Sequence, residues 1–327
     1  MKFALIGAGL SGIRAASLLI DLGHEVTVFE KSRGLGGRLA NRRTAWGKLD
    51  IGAQYFTARD PDFQKQVELW LQASAVQVWD FSPHCVEQGK LIPSPDETVR
   101  YTGSPLMNQL VYCSSNGLAV NFQCAVTAVE KLRKGWRLFT SGGEVFSDFD
   151  WLIVSSPAEQ SRTLLENCSD VMTGVPEAVH QPCWAVGLAT RGEIPEGVQG
   201  IFGDGTVHWA SRLSSRPGFI KAPDIDDVWM LHFSPEWSEQ QGKETPVDIG
   251  QTGLEWLQKI MDTELDKSTE YRHYWRYANI KPVTFDKSYL LDEYQRLAVI
   301  GAWCAGGRVE GAWLSAQRCI EDLIRLR

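Results

Sequence analysis

Apolar runs, glycine turns and a helical repeat alternate at the start of the chain. Residues 3–6 form an apolar run that predicts a buried parallel strand, and this run ends at Gly7. After Gly9 and Gly12 the apolar residues recur with helical spacing, and a second apolar run follows at 26–29. This order predicts a strand, a tight turn, a helix and a second strand, which together make a βαβ unit.

Three segments in the second half of the chain alternate in the manner of strands. Residues 183–188, 228–234 and 270–277 predict an antiparallel sheet, and residues 194–227 between them, rich in Gly, Pro, Ser and Asp, predict loops. One face of this sheet is rich in aromatic and histidine side chains: His232, Tyr271, His273, Trp275 and Tyr277. Aromatic walls suit a planar ligand, although aromatic residues on a sheet face more often belong to a core.

The strand and glycine-turn pattern returns near the end of the chain. An apolar run at 297–300 is followed by Gly301, Gly306 and Gly307, and then by a helical pattern to the end. A lone strand and helix cannot bury the strand, so this unit is predicted to join the first domain.

The glycines of the first turn have separate tasks in a dinucleotide-binding fingerprint. Gly7 permits the turn, Gly9 lets a pyrophosphate approach the backbone, and Gly12 lets helix and strand pack closely. The pyrophosphate then lies at the helix N-terminus. Glu30 follows the second strand, where it can accept hydrogen bonds from a ribose diol. We therefore expect a dinucleotide site here; the alternative is an ordinary glycine-rich turn.

Two further segments carry polar groups suited to the same ligand. A glycine-rich loop at 34–37 precedes Arg38, whose guanidinium can pair with a phosphate unless it is simply an exposed surface residue. Residues 49–57 predict a strand-like run in which three polar side chains need partners: Gln54, Tyr55 and Thr57.

Composition narrows the function class. The chain has 327 residues, a length that favours two domains, with 43% hydrophobic and 22% charged residues. A net charge of −7 without a basic stripe argues against nucleic acid as a partner. The seven scattered cysteines predict reduced thiols in a cytoplasmic protein and no metal site, and no apolar run is long enough to cross a membrane.

Four ordered motifs together resemble one family. GAGLSG with Glu30, GGR at 36–38, DIGAQYFT at 50–57 and GRVEGAWLS at 307–315 are similar to the flavin amine oxidase superfamily, and within it to the bacterial renalases. The similarity runs essentially end to end.

The resemblance implies an α/β fold: a Rossmann-type FAD-binding domain in the hydroxybenzoate-hydroxylase arrangement, with an inserted α+β substrate domain built on an antiparallel sheet. The implied FAD-binding domain is discontinuous, at 1–65, 106–160 and 286–327, and the substrate domain comprises 66–105 and 161–285.

The resemblance also implies non-covalent FAD and a set of residues that hold it. That set is Gly7, Gly9, Leu10, Ser11, Gly12, Glu30, Lys31, Gly37, Arg38, Gln54, Tyr55, Phe56, Val126, Trp303, Arg308 and Val309. One position departs from the family, because Ala302 stands where an Asp usually meets the cofactor. Losing one hydrogen bond to a charged group costs about 1.5–3 kcal/mol, so weaker FAD binding is expected. Cys304 lies close enough to this motif for covalent attachment to be worth a check.

The activity implied by the resemblance is oxidation of the 2- and/or 6-dihydro isomers of NAD(P)H to NAD(P)+, with O2 reoxidising the flavin to give H2O2. A dihydropyridine expels hydride with help from its own ring nitrogen, so no general base is assigned. The candidate catalytic-pocket residues are Tyr55, Thr57, His232, Trp275 and Tyr277. Amine or amino-acid oxidation, favoured if Arg276 binds a carboxylate, and a non-catalytic flavin- or nucleotide-binding protein are the alternatives.

Overall fold

The computed structural model describes residues 1–244 and 248–325. The strands of this part of the chain are β1 Lys2–Ile6, β2 Glu25–Phe29, β3 Asn41–Thr44, β4 Gly47–Asp50, β5 Val76–Val78, β6 His84–Glu87, β7 Lys90–Pro93, β8 Tyr101–Gly103, β9 Ala119–Asn121, β10 Val126–Lys131, β11 Trp136–Thr140, β12 Val145–Phe149, β13 Trp151–Val154, β14 His180–Arg191, β15 Gly200–Phe202, β16 Val207–Arg212, β17 Asp227–Phe233, β18 Asp266–Ile280, β19 Leu290–Asp292 and β20 Leu297–Val299. Its α-helices are α1 Leu10–Asp21, α2 Pro61–Gln72, α3 Gln109–Tyr112, α4 Ala158–Leu165, α5 Pro235–Gln241, α6 Ile249–Met261 and α7 Arg308–Arg325.

A six-stranded sheet joins the beginning, middle and end of the chain. Its order is β19-β20-β13-β1-β2-β9, and all neighbours are parallel except β19 and β20. The central strands β1 and β13 are almost entirely buried because both sheet faces are covered, as is usual for parallel sheets. Helices α1 and α7 cover one face, and α4 with the three-stranded sheet β10-β11-β12 covers the other.

A seven-stranded sheet forms the second layer of the molecule. Its order is β18-β14-β17-β16-β15-β6-β7, antiparallel except between β15 and β6. Helix α6 packs on one face, and the hairpin β3–β4 packs on the other through Trp46 and Leu49. After this hairpin the chain returns to the first layer through α2 and enters the seven-stranded sheet at β6.

Several sequence-based expectations differ from the structure. The segment 194–227 contains β15 and β16 as well as loops, because its short apolar stretches pair within the large sheet despite flanking glycines. The strand-like run at 49–57 ends at Asp50, and beyond it only Phe56 makes an isolated bridge, to Tyr101. The backbone therefore does not alternate side chains between two faces over residues 51–57.

A buried ion pair connects the two layers. Asp50 at the end of β4 pairs with Arg216 from the β16–β17 connection, and the Asp50 Oδ1 atom also accepts from the Met107 N–H at 3.1 Å. The two side chains are 0% and 2% exposed. Removing one member leaves the other as an uncompensated buried charge, which typically costs about 3–5 kcal/mol.

We therefore expect Arg216→Leu to lower the free energy of unfolding by about 3–5 kcal/mol in urea titrations. Arg191→Leu is the matched control, because the Arg191–Asp224 pair is more than half exposed and should contribute at most about 1 kcal/mol. An equally small loss of unfolding free energy in the two variants would show that burial of Asp50 does not require the charge of Arg216.

Candidate functional site

The glycine turn after β1 has the geometry that its sequence predicts. Gly7 has φ +102°, and its N–H donates to the Phe29 carbonyl at 2.8 Å. A Cβ added at Gly12 would collide with the Gly7 carbonyl oxygen, so only glycine lets α1 approach β1 this closely. A Cβ added at Gly9 meets no protein atom within 4 Å, although Gly9 lines a cavity. The space in front of Gly9 is thus open to a ligand.

Glu30 closes the end of β2 beside this turn. It is 7% exposed, and its Oε2 and Oε1 atoms accept from the Ala8 and Ser32 N–H groups, both at 2.8 Å. A carboxylate oxygen can accept more than one hydrogen bond, so Glu30 keeps acceptor capacity for a ligand hydroxyl.

The second glycine turn begins α7 at the same cavity. The Gly301 N–H donates to the Ser315 hydroxyl at 2.9 Å, and the Ser11 hydroxyl of α1 donates to the Ala312 carbonyl of α7 at 2.7 Å. Gly9 and Ser11 at the start of α1, and Arg308 at the start of α7, all line the cavity. Two helix N-termini with unpaired N–H groups and positive dipole ends therefore converge on one space.

The cavity has a volume of about 1930 Å³, roughly twice the upper end of the ~300–1,000 Å³ range for drug-sized ligands. It extends from the two glycine turns to the wall formed by β17 and β18. Most of the sequence-predicted site residues line it: Gly7, Gly9, Leu10, Ser11, Glu30, Lys31, Gly37, Arg38, Val126, His232, Trp275, Tyr277, Trp303, Arg308 and Val309.

The predicted cofactor contact Gln54 lies behind the cavity wall. Its amide nitrogen donates to the Asp50 carbonyl at 3.2 Å and also to the Gly52 carbonyl, and its Oε1 accepts from the Trp209 indole N–H at 2.9 Å. Its polar groups are satisfied by protein, not by a ligand, so Gln54 shapes the turn that follows β4.

Tyr55, Phe56 and Thr57 also fall outside the cavity lining, and their contacts with cofactor or substrate stay predictions. Tyr55 packs on Trp209, and Phe56 is a core residue stacked on Tyr101. The Thr57 hydroxyl accepts from Arg59 at 2.8 Å. These three side chains lie outside the cavity lining because the backbone leaves strand geometry after Asp50. Gly12 likewise acts through helix packing and does not line the cavity.

The wall formed by β17 and β18 presents fixed rings to the cavity. The Trp275 indole N–H donates to the Ile51 carbonyl at 2.9 Å, and the His232 Nε2 atom lies 3.2 Å from the same oxygen. Burial lowers the pKa of His232 to about 4, so the ring is neutral near pH 7. With Nε2 engaged, Nδ1 is the His232 nitrogen left for a ligand.

Sequence reasoning missed Glu159 and His180, which lie beside Arg38. Glu159 accepts from the Val179 and His180 N–H groups and from the His180 Nδ1 atom at 2.7 Å. Burial first, and then the charge of Arg38, lower the pKa of His180 to about 4. Arg38 donates to the Ala278 carbonyl at 2.8 Å. The 21-residue separation of Glu159 and His180 leaves no local signal for this cluster.

The charge of the cavity is opposite to that of the whole chain. Six cationic residues line it: Lys31, Arg33, Arg38, Arg42, Arg276 and Arg308. Its two carboxylates, Glu30 and Glu159, are already hydrogen-bonded to backbone N–H groups. None of the six cations forms an ion pair within residues 1–244 and 248–325. Unpaired cations around one cavity favour an anionic ligand.

Cys304 lies near the second glycine turn but does not line the cavity. It is 4% exposed, and burial raises its pKa well above the ordinary value for a thiol. Over the same described ranges, no group of three or more His, Cys, Asp or Glu residues could hold a metal ion. Nor does any helix there have the length and apolarity that crossing a membrane requires.

Comparison with known proteins supports the dinucleotide-binding part of the chain. A model of the NAD(P)-binding Rossmann-like domain matches residues 5–69. The Rossmann-like fold is confirmed. The 4,4'-diapophytoene desaturase (4,4'-diaponeurosporene-forming) of Staphylococcus aureus strain Newman is 35% identical over 79 residues, which are 21% of this chain and 16% of the desaturase. The chain thus matches only about a sixth of the length of such curated relatives.

Solved structures resemble the whole chain. A protein described as a protoporphyrinogen oxidase, from Exiguobacterium sp. 255-15, has a TM-score of 0.78 and 12% identity over 100% of this chain and 99% of its own. Wild-type putrescine oxidase bound to putrescine has a TM-score of 0.73 and 14% identity, covering 99% of each chain. Reduced UDP-galactopyranose mutase has a TM-score of 0.73 and 13% identity, over 100% and 96%. At these identities the likeness shows the fold alone.

We expect Gly9→Ala to leave the fold intact and to weaken the binding of FAD. Gly9 has φ −78°, which alanine adopts without strain, and the added methyl would point into the open space of the turn. Thermal unfolding should change little while FAD affinity, measured by fluorescence titration, falls at least about tenfold. In contrast, Gly12→Ala should destabilise the protein itself, because its methyl collides with the Gly7 carbonyl. If the Gly9→Ala variant binds FAD with the affinity of the wild type, this turn does not contact the cofactor.

We also expect His232 to contribute to the pH dependence of stability. Its pKa in the folded chain, about 4, lies below the ordinary value of 6.5, so the unfolded chain binds a proton first as the pH falls. This group therefore lowers stability as the pH falls from about 6.5 to 4, and has no effect above that window. His232→Gln should show a smaller loss of urea midpoint between pH 7 and 5 than the wild type.

A His232→Gln variant that follows the wild type over this range would show that His232 is not held in its neutral form.

Proposed function

We propose that this protein is an FAD-dependent oxidase that oxidises the 2- and/or 6-dihydro isomers of NAD(P)H to NAD(P)+. The observation that carries the proposal is one continuous cavity that joins two helix N-termini to a wall of fixed aromatic and neutral histidine rings. The cavity is cationic, is larger than a single drug-sized ligand requires, and both of its carboxylates are hydrogen-bonded to backbone N–H groups.

The residues around the first glycine turn fit FAD. The open space at Gly9 accommodates a pyrophosphate, and Glu30 has acceptor capacity for the adenosine ribose. Arg308 and the N-terminus of α7 face the same space from the other end of the chain. Ala302 offers no carboxylate, so on this side the N–H groups at the start of α7 act without the usual acid. When bound, FAD would supply a hydride acceptor at its N5 atom, and its reoxidation by O2 would yield H2O2.

The two layers of the fold correspond to two parts of the proposed site. We assign cofactor binding to 1–65, 106–160 and 286–327, which contain all strands of the six-stranded sheet. Substrate binding is assigned to 66–105 and 161–285, which contain all strands of the seven-stranded sheet.

The wall at β17 and β18 performs the tasks that this reaction requires of the protein. Trp275, fixed by the Ile51 carbonyl, positions a planar ring and excludes water from one side of it. His232 offers Nδ1 for a hydrogen bond with a carboxamide, and Tyr277 extends the aromatic surface. A dihydropyridine needs no general base, and the low pKa of His232 makes this ring a poor one near pH 7.

Amine oxidation is the second candidate. The structural likeness to putrescine oxidase and the aromatic wall favour it. The charge of the cavity opposes it, because six cations would repel a protonated diamine. The remaining alternative is a protein that binds flavin without catalysing a reaction. It is considered because Ala302 stands where the family usually has an Asp.

Anaerobic mixing of FAD-loaded protein with each substrate decides among these functions. We expect the 2- or 6-dihydro isomer to bleach the flavin rapidly, and admission of O2 to restore the colour with one H2O2 per substrate oxidised. Ordinary 4-dihydro NAD(P)H is the control and should react far more slowly. Bleaching by putrescine or another primary amine, but by no dihydropyridine isomer, would replace the proposal with amine oxidation. Protein that binds FAD and is bleached by neither class has no oxidase activity of these kinds.

A further inference from the structure

One of the unpaired cations lies on the substrate side of the cavity, next to the aromatic wall. Arg42 in β3 lines the cavity, whereas Arg43, the next residue, does not. Successive side chains of a strand point to opposite faces, so the β3–β4 hairpin directs Arg42 to the cavity side, where it stays solvent-exposed, and Arg43 to the other face.

The Arg42 guanidinium is held along one edge only. Its Nε atom donates to the Tyr271 hydroxyl at 3.0 Å, and its Nη1 atom lies 3.5 Å from the Asn41 carbonyl. Over residues 1–244 and 248–325, Arg42 forms no ion pair. A guanidinium has five N–H donors, so the outer edge keeps donors for an anion.

Arg42 and the ring wall belong to one surface. His273, two residues beyond Tyr271 on β18, also lines the cavity, and its ring contacts Trp275 with centroids 4.4 Å apart. Burial first, and then the charge of Arg42, lower the pKa of His273, which places the guanidinium within electrostatic reach of that ring. Tyr271 of β18 therefore holds the β3 residue Arg42 beside the aromatic surface of the same strand β18.

The number of charges in the cavity indicates a second anion besides FAD. Six cations face two engaged carboxylates, an excess of four positive charges. The two phosphates of a bound FAD would neutralise two of these charges and leave an excess of two. An anionic substrate is attracted by this excess of positive charge, whereas a cationic substrate is repelled by it.

We propose that Arg42, tethered by Tyr271, is a binding residue for a phosphate of the dinucleotide substrate. That this substrate carries a dihydronicotinamide ring rests on the proposed function. The phosphate contact does not rest on it, because phosphate binding can be measured without turnover.

The test uses ADP-ribose, which carries two phosphates and no nicotinamide, titrated into FAD-loaded protein and followed by the flavin absorbance or by calorimetry. We expect Arg42→Gln to weaken ADP-ribose binding at least about tenfold, since one hydrogen-bonded charge is lost. Arg43→Gln is the matched control on the same strand and should bind as the wild type does. Arg42→Lys, which keeps the charge without the planar fork, should fall between them.

Kinetics add a second measurement if the proposed oxidation occurs. Arg42→Gln should then raise KM for the dinucleotide isomer about tenfold and leave kcat within twofold. KM for the corresponding phosphate-free dihydronicotinamide riboside should not change.

Two results would overturn the inference: equal weakening of ADP-ribose binding in Arg42→Gln and Arg43→Gln, or no weakening in either. If only the oxidation assay fails, the proposed function is contradicted. The role of Arg42 is then decided by the ADP-ribose binding measurements.

Discussion

The contact between α1 and α7 determines the shape of the site. These helices come from opposite ends of the chain, and Ser11 and Arg14 of α1 donate to Ala312 and Gln317 of α7 at 2.7 Å each. Gly12 allows α1 to lie directly on the first turn, so its N-terminus cannot move away from β1. Because both helices begin at one cavity, two sets of unpaired N–H groups can hold two ends of a single extended ligand.

The local charge of the cavity decides which ligands it favours, and the net charge of the chain does not. A protein with a net charge of −7 can still bind anions when its cations converge on a concave surface. Glu30 and Glu159 cancel only part of this field, because two carboxylates face six cations. Burial lowers the pKa of His232 to about 4 and also lowers the pKa of His273, so the environment of both rings disfavours their charged forms.

Features encoded within about thirty residues could be predicted from the sequence, and features that depend on distant pairs could not. The turn at Gly7, the packing role of Gly12 and the acid at Glu30 follow from one local pattern, and the structure contains all three. Gln54, Tyr55 and Thr57 were expected at the ligand because residues 49–57 resemble a strand, but the backbone leaves strand geometry after Asp50. Arg42 was missed because its tether, Tyr271, lies 229 residues away. For Arg42 the available signal was its place beside Arg43 on a short strand, since alternation sends one of the two inward.

The central claim is that two helix N-termini form a clamp for a whole flavin dinucleotide. Competitive titration of the flavin-free protein with FAD and FMN tests this claim directly, because FMN lacks the adenosine that Glu30 is assigned to hold. We predict one FAD per chain, released on denaturation, with an affinity about a hundredfold or more above that of FMN, since each hydrogen bond to a charged group contributes about 1.5–3 kcal/mol. Equal affinities for FAD and FMN, or no binding of either, would contradict the account.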